Sequence, residues 1–186
     1  MNSTFHTAGW VMIDPGNWIP NGVVEILDRL VVAVHRSHTG ARTVDHGPGV
    51  IMPALVNAHT HLSLSALKGR VDTSTGFIDW VRQLIEVRAR LSEAELDAAA
   101  VHAAQGVKQR GTGCVAEVGP IEPGASAMRR ADLRGVLFSE LLGNDGTALT
   151  LPGSDSGLSF SYAGHALHTT APGVLAQLKL ATLERR

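Results

Sequence analysis

His59-Thr60-His61 is the stretch of this sequence best suited to chemistry. It follows Val50-Ile51-Met52-Pro53-Ala54-Leu55-Val56-Asn57, an almost continuously apolar run that reads as a strand buried on both faces. Alternate residues of a strand point the same way, so the spacing predicts two imidazoles on one side. Two neutral imidazoles suit Zn²⁺, with Fe²⁺ as the alternative. A bare His-x-His also occurs in surface loops; here the apolar strand, Pro53 and Asn57 ahead of it favour a metal pair. A second group is His165-Ala166-Leu167-His168-Thr169-Thr170. Such a loop ahead of a helix can bind an anionic or hydroxyl-rich group through side chains and free backbone N–H groups. Alternatively, Thr169 or Thr170 simply caps the helix. Glu117 and Glu140 fall at strand ends that are expected to face the same side as the histidines, either as supports of a site or as structural carboxylates. His6, His35, His38, His46 and His102 have no such context. Cys114 reads as a core strand residue and Trp80 as packing.

The elements that must position these groups are legible in outline. Residues 1–52 read as short strands between turns: Trp10 to Ile13, then Asp14-Pro15-Gly16, then Asn21-Gly22 leading into Val23 to Leu27, then Leu30 to Val34. An antiparallel β segment is expected there. From Val50 onward, strand-like and helix-like stretches alternate. Phe77 to Arg90 has apolar residues at helical spacing. Ser92-Glu93-Ala94-Glu95 is a capping box opening a helix that runs to about Arg110. Cys114 to Ala116 is a short strand ending at Glu117, Gly124 to Ala131 is helical, and Gly135 to Leu142 and Ser159 to Gly164 are strands. Pro172 to Arg185 is a final helix with proline in its first turn. Strands alternating with helices argue for a parallel sheet or barrel.

Composition narrows the class. Hydrophobic residues make up 44% and charged residues 18% of 186, as in a folded globular protein. Net charge is -1, with basic residues clustered only in pairs such as Arg129-Arg130 and Arg185-Arg186, so no nucleic-acid partner is expected. No apolar run approaches the ~20 residues that cross a bilayer, so no membrane role is expected. A single cysteine allows no intrachain disulfide. With a polar N-terminus lacking a signal-peptide pattern, the expected location is cytoplasmic.

The segment Gly49 to Leu62, with Pro53, Asn57, His59 and His61, resembles the "PGxxNxHxH" signature of the amidohydrolase superfamily, in its cytosine deaminase, chlorohydrolase and nucleoside deaminase branch. Ala54 stands where that signature has glycine. Gly111 to Glu117 resembles the branch's "GTTTVxD" second strand, Arg134 to Glu140 its third, and His165 to Pro172 its "HAPYTxS" segment. The resemblance implies an α/β fold: a small β-sandwich segment over 1–52, then the first half of a (β/α)8 barrel over 53–186, apparently truncated. It implies a metal-dependent hydrolase of carbon-nitrogen bonds other than peptide bonds, deaminating a heterocyclic or nucleoside-like small molecule by metal-activated water. His59 and His61 are then metal ligands and His165 contacts substrate. His168 stands where tyrosine is common and is a second substrate-binding candidate. The other ligands and the proton-handling residues are expected beyond Arg186. The alternative is an inactive fragment with weak metal binding; a homo-oligomer is also open.

Overall fold

The computed structural model describes residues 3–38, 40, 42–144, 154 and 157–183. The chain forms two compact units, Met1–Ala54 and Leu55–Arg186.

Among its described residues the first unit has seven short strands: β1 (Thr4–Thr7), β2 (Trp10–Asp14), β3 (Asn17–Pro20), β4 (Val23–Leu27), β5 (Leu30–His35), β6 (Thr43–Asp45) and β7 (Val50–Ile51). They form a four-stranded sheet in the order β5-β4-β1-β6 and a three-stranded sheet in the order β3-β2-β7. Its hairpins are antiparallel, as expected, but β6 joins β1 and β7 joins β2 in parallel, so the unit is mixed. Asn21, with φ +50°, makes the turn expected at Asn21-Gly22. Ala8, Val11, Val23 and Val24 are its buried apolar residues.

The second unit opens with β8 (Leu55–Thr60), followed by a short 3₁₀ helix (Leu62–Leu67), α1 (Phe77–Arg90), α2 (Glu93–Gln109), β9 (Thr112–Val118), α3 (Ile121–Arg130), β10 (Arg134–Leu141), β11 (Leu158–Gly164) and α4 (Pro172–Leu183). The expected extension of α4 to Arg185 lies outside the described residues. All strand pairs are parallel, in the order β11-β10-β9-β8. The α/β class and the parallel sheet are therefore as the alternation of elements predicts. The capping box also forms: Glu95 N–H donates to the Ser92 hydroxyl while the Glu95 carboxylate accepts from Ser92 N–H.

One face of the sheet carries the core. Register aligns Val115, Gly135 and Leu158 in one row, and Glu117, Leu137 and Phe160 in the next. These rows belong to one buried cluster with Leu62, Ala100, Val101 and Ala104 of α2, and Ala125 and Met128 of α3. Fully burying a Leu or Met contributes roughly 1.5–3 kcal/mol each, so Leu62, Met128, Leu137 and Leu158 dominate this layer.

The apolar run Val50 to Asn57 departs from the expectation of one strand buried on both faces. Val50–Ile51 pairs with β2 in the first unit, whereas β8 starts at Leu55 in the second. Pro53 has no N–H to give a ladder and interrupts pairing between them. Leu55 and Val56 are 52% and 69% exposed, because β8 is an edge strand among the described residues. No helix among these residues is long and apolar enough to cross a membrane.

Gly135 has φ +149°, and a Cβ there would sit 1.8 Å from the Val115 carbonyl oxygen. Gly135→Ala is therefore expected to destabilise the chain by more than ~3 kcal/mol, beyond ordinary overpacking. Gly173→Ala, in open space at the start of α4, should cost under ~0.5 kcal/mol. Urea unfolding of both variants checks this; equal stabilities would show the close approach is absent.

Candidate functional site

In a parallel sheet every strand points its C-terminus to the same end. His59 near the end of β8, His61 just past it, and His165 just past β11 therefore share that end of the sheet.

The two nearer histidines converge. His59 Nε2 and His61 Nε2 lie 3.2 Å apart, with ring planes at 77°. His61 Nδ1–H donates to the Val118 carbonyl oxygen at 2.8 Å. A carbonyl can only accept, so this bond fixes the proton on Nδ1 and leaves the Nε2 lone pair for a ligand. Upstream, Asn57 Oδ1 accepts the His59 N–H at 3.2 Å. Without a metal, the His59–His61 contact has the length of an N–H···N hydrogen bond, His59 Nε2–H donating to the bare His61 Nε2. His6 Nδ1 and His46 Nε2 lie 3.0 Å apart with planes at 14° and centroids 5.3 Å apart, the head-to-head arrangement of an N–H···N hydrogen bond. His35 likewise has a structural partner, the Glu25 carboxylate at 2.9 Å.

The residue after the pair is held from three sides. Leu62 is buried in the core cluster, its carbonyl accepts from the Ser65 hydroxyl at 2.6 Å, and its N–H donates to both Glu117 oxygens at 3.0 Å. That N–H opens a short helix and has no carbonyl partner within it. Glu117 departs from expectation here. Its Cγ and Leu137 Cδ2 are the atoms a Cβ on Gly124 would meet, each at 2.9 Å, so the carboxylate faces α3 and the core layer. Glu140 is an odd number of positions from Leu137 on the same strand and takes the opposite face, as expected. Sequence reading gave Glu117 no specific partner, since alternation alone does not reveal which backbone group a side chain reaches. Ser63 is half-buried beside this junction.

The His165 group is separate. His165 is exposed, its N–H donates to the Leu141 carbonyl, and its Nδ1 lies 2.7 Å from Thr169 Oγ1. The Thr169 hydroxyl also lies 3.3 Å from the Ala166 carbonyl, and the direction of its bond with His165 follows the imidazole tautomer. His168 is exposed. Thr170 is buried, with its hydroxyl donating to the Leu141 carbonyl at 2.9 Å, which ties this loop to the end of β10. β11 and β8 are three strand spacings apart, about 14 Å at ~4.8 Å each if the sheet were flat. The described residues therefore bring His59 and His61 together, and His165 with Thr169, but do not join the two groups. Among the described residues no three His, Cys, Asp or Glu side chains form a metal cluster.

Two imidazole lone pairs are a donor set that zinc accepts. At metal–nitrogen bonds of ~2.0–2.1 Å, nitrogens 3.2 Å apart subtend about 100°, near the tetrahedral angle.

Comparison with known proteins bears out the resemblance. No family model matches the chain. The chain is 26% identical over 184 residues to the 5-methylthioadenosine/S-adenosylhomocysteine deaminase of Nitratidesulfovibrio vulgaris (strain DSM 19637 / Miyazaki F), covering 84% of this chain and 40% of that protein. It is 37% identical over 85 residues to the 5'-deoxyadenosine deaminase of Methanococcoides burtonii, covering 45% of this chain and 18% of that protein. Its fold matches Helicobacter pylori aminofutalosine deaminase in complex with methylthio-coformycin, with TM-score 0.82, 19% identity, 98% of this chain and 49% of that one. It also matches an adenosine deaminase from Xanthomonas campestris with bound zinc, with TM-score 0.74, 20% identity, 97% of this chain and 47% of that one. The chain thus spans less than half the length of these relatives.

Burial pushes the Glu117 carboxyl up to about 7, against the hydrogen bond from Leu62, which lowers it. Its ordinary value is 4.5. The folded state thus holds a proton that the unfolded state has released. The stabilisation is fully present below pH 4.5 and is lost as pH rises through about 7. Glu117→Gln cannot ionise and escapes this loss. From pH 4.5 to about pH 8, the variant should gain on the order of 3 kcal/mol relative to the parent chain. Urea unfolding of both metal-free chains at the two pH values tests this; an unchanged difference would show that the carboxyl titrates normally.

Proposed function

Starting from a chain that matches the N-terminal portion of amidohydrolase-superfamily deaminases, we propose that it supplies the first metal-holding strand of a hydrolytic deaminase acting on an adenosine-type substrate. The carrying observation is the convergence of His59 Nε2 and His61 Nε2 at 3.2 Å, with the His61 proton fixed on Nδ1. The similarity to deaminases of 5-methylthioadenosine, S-adenosylhomocysteine and 5'-deoxyadenosine supports the substrate class. The parallel sheet with its flanking helices is proposed to be part of a (β/α)8 barrel, and the first unit part of a small β-sandwich. Zinc is the proposed metal, in line with the zinc in a structural neighbour, and iron is the alternative.

When bound, the metal supplies a water made acidic enough to act as a nucleophile near neutral pH. The chain's own residues have defined parts. His59 and His61 hold the metal through Nε2, and Val118 and Asn57 orient them. His165, exposed at the same end of the sheet, is proposed to hydrogen-bond a polar group of the substrate, and His168 to line the approach. Deamination exchanges the ring's amino group for oxygen from water and releases ammonia.

Catalytic zinc sites use about three protein ligands and a water. The described residues bring two imidazoles together. The 186-residue chain by itself is therefore expected to bind zinc weakly and to release no ammonia. The remaining ligands are proposed to come from further chain or from a second copy. Zinc titration of the chain beside a His59→Ala/His61→Ala double variant, with an ammonia-release assay on adenosine-type substrates, tests the reading. The double variant should lose at least ~10-fold in zinc affinity, or ~1.4 kcal/mol. Equal binding by both proteins sinks the metal assignment. Tight one-to-one binding with ammonia release would show that the chain carries a complete site.

A further inference from the structure

Glu117 stands out as a carboxylate in an apolar row. Its neighbours across the sheet on the helix-facing side are Leu137 and Phe160, and Val115 lies two residues before it. It is 3% exposed. Packing alone is better served there by a hydrocarbon, since a buried charge needs partners to be tolerated. Its carboxylate oxygens both accept from a single backbone group, the Leu62 N–H, at 3.0 Å. Leu62 immediately follows His61. The residue after Glu117 is Val118, whose carbonyl accepts the His61 Nδ1–H. The last two residues of β9 therefore grip the end of β8 twice: a side chain holds the backbone just past His61, and a main-chain carbonyl holds the His61 ring. The Glu117 side chain fits because α3 presents Gly124 to it, where a Cβ would lie 2.9 Å from Glu117 Cγ.

We propose that Glu117 is a positioning residue for His61: by fixing the Leu62 N–H it sets the His61 backbone so that the ring meets Val118 through Nδ1 and turns Nε2 toward His59. The proposal rests on the reading of His59 and His61 as a metal pair. Glu117 itself touches neither metal nor substrate. Two roles are thereby separated. A purely structural carboxylate would show itself in stability, and a positioning one in the tautomer and metal affinity of His61.

Glu117→Met is nearly isosteric, keeps the row apolar and removes the acceptor. The variant should fold with a midpoint equal to or above that of the parent chain. Its zinc affinity should fall about tenfold or more, the scale seen when a group supporting a metal ligand is lost. In the metal-free protein, ¹⁵N shifts of the His61 ring should change from a single Nδ1–H form in the parent to a mixture of tautomers. Glu117→Gln retains an acceptor oxygen and should restore the parent tautomer and bring zinc affinity to within about threefold of the parent. If Glu117→Met does not fold, Gly124→Ala presses on the same side chain from α3 and should produce the same tautomer change in milder form. An unaltered His61 tautomer together with parent-like zinc binding in the folded variants overturns the proposal. The His59→Ala/His61→Ala variant separates the two levels. Loss of zinc binding there, with none in the Glu117 variants, refutes the positioning role alone. No loss in the double histidine variant refutes the metal pair itself.

Discussion

The register of β8 against β9 is the constraint on which the site depends. Asn57 is opposite Val115, and Thr60 is opposite Glu117, so β8 spends three steps where β9 spends two. One extra residue is inserted here in β8, and between Leu55 and Val56 the shift runs the other way, with the extra residue in β9, so Leu55 opposite Thr112 and Thr60 opposite Glu117 keep one register. The two irregularities offset each other, so Thr60 lies opposite Glu117 and shares its face, toward α3 and the core. Alternation then sends His59 to the other face, with His61 following it past the strand end. A one-residue slip reverses the face of every side chain beyond it. The Asn57 carboxamide, accepting the His59 N–H, supports the irregular turn of chain where this happens.

The bulge also explains why the strand ends need the clamps they have. A strand leaving its register loses ladder hydrogen bonds, and the N–H groups beyond it need other acceptors. The Leu62 N–H finds one in Glu117, and the His61 ring finds one in the Val118 carbonyl. Leu62 itself is anchored in the cluster with α2 and α3. The same layer that stabilises the second unit thus fixes the position of the histidine beside it. Folding stability and site geometry meet at one residue, with Glu117 in the core layer and His61 on the far side of the strand.

Much of this unit was legible in the sequence because its signals are local. The apolar spacing of Phe77 to Arg90 and the Ser92–Glu95 capping box mark helices that form where expected. The first unit was less legible. Thr4–Thr7, Asn17–Pro20 and Thr43–Asp45 are three or four residues long, too short to show a pattern of their own, so they are strands by virtue of their partners. Val50 to Asn57 looked like one strand because apolar character ignores where pairing changes. Its division between two units is a tertiary fact, marked in sequence only by Pro53. Of the site, the His59–His61 pair was readable from strand alternation, though the two offsetting irregularities of β8 against β9 were not. The direction of Glu117 was misread, because its position at a strand end says nothing of which face the register assigns.

The distance between the two histidine groups constrains their division of labour. A parallel sheet fixes its strand spacing, and β9 and β10 lie between β8 and β11. Imidazoles bound to one zinc ion hold their nitrogens ~3.3 Å apart at tetrahedral angles, a condition that His59 and His61 meet. His165 is held by Thr169, and Thr170 pins the loop to the end of β10. On the proposed function, a hydrogen-bonding group at the same end of the sheet, three strands from the histidine pair, would read the substrate at a distance from the reacting carbon. An adenosine-type molecule spans several ångströms from its exocyclic amine to its sugar, so recognition and chemistry can be assigned to separate strands. The sheet then acts as the ruler between them.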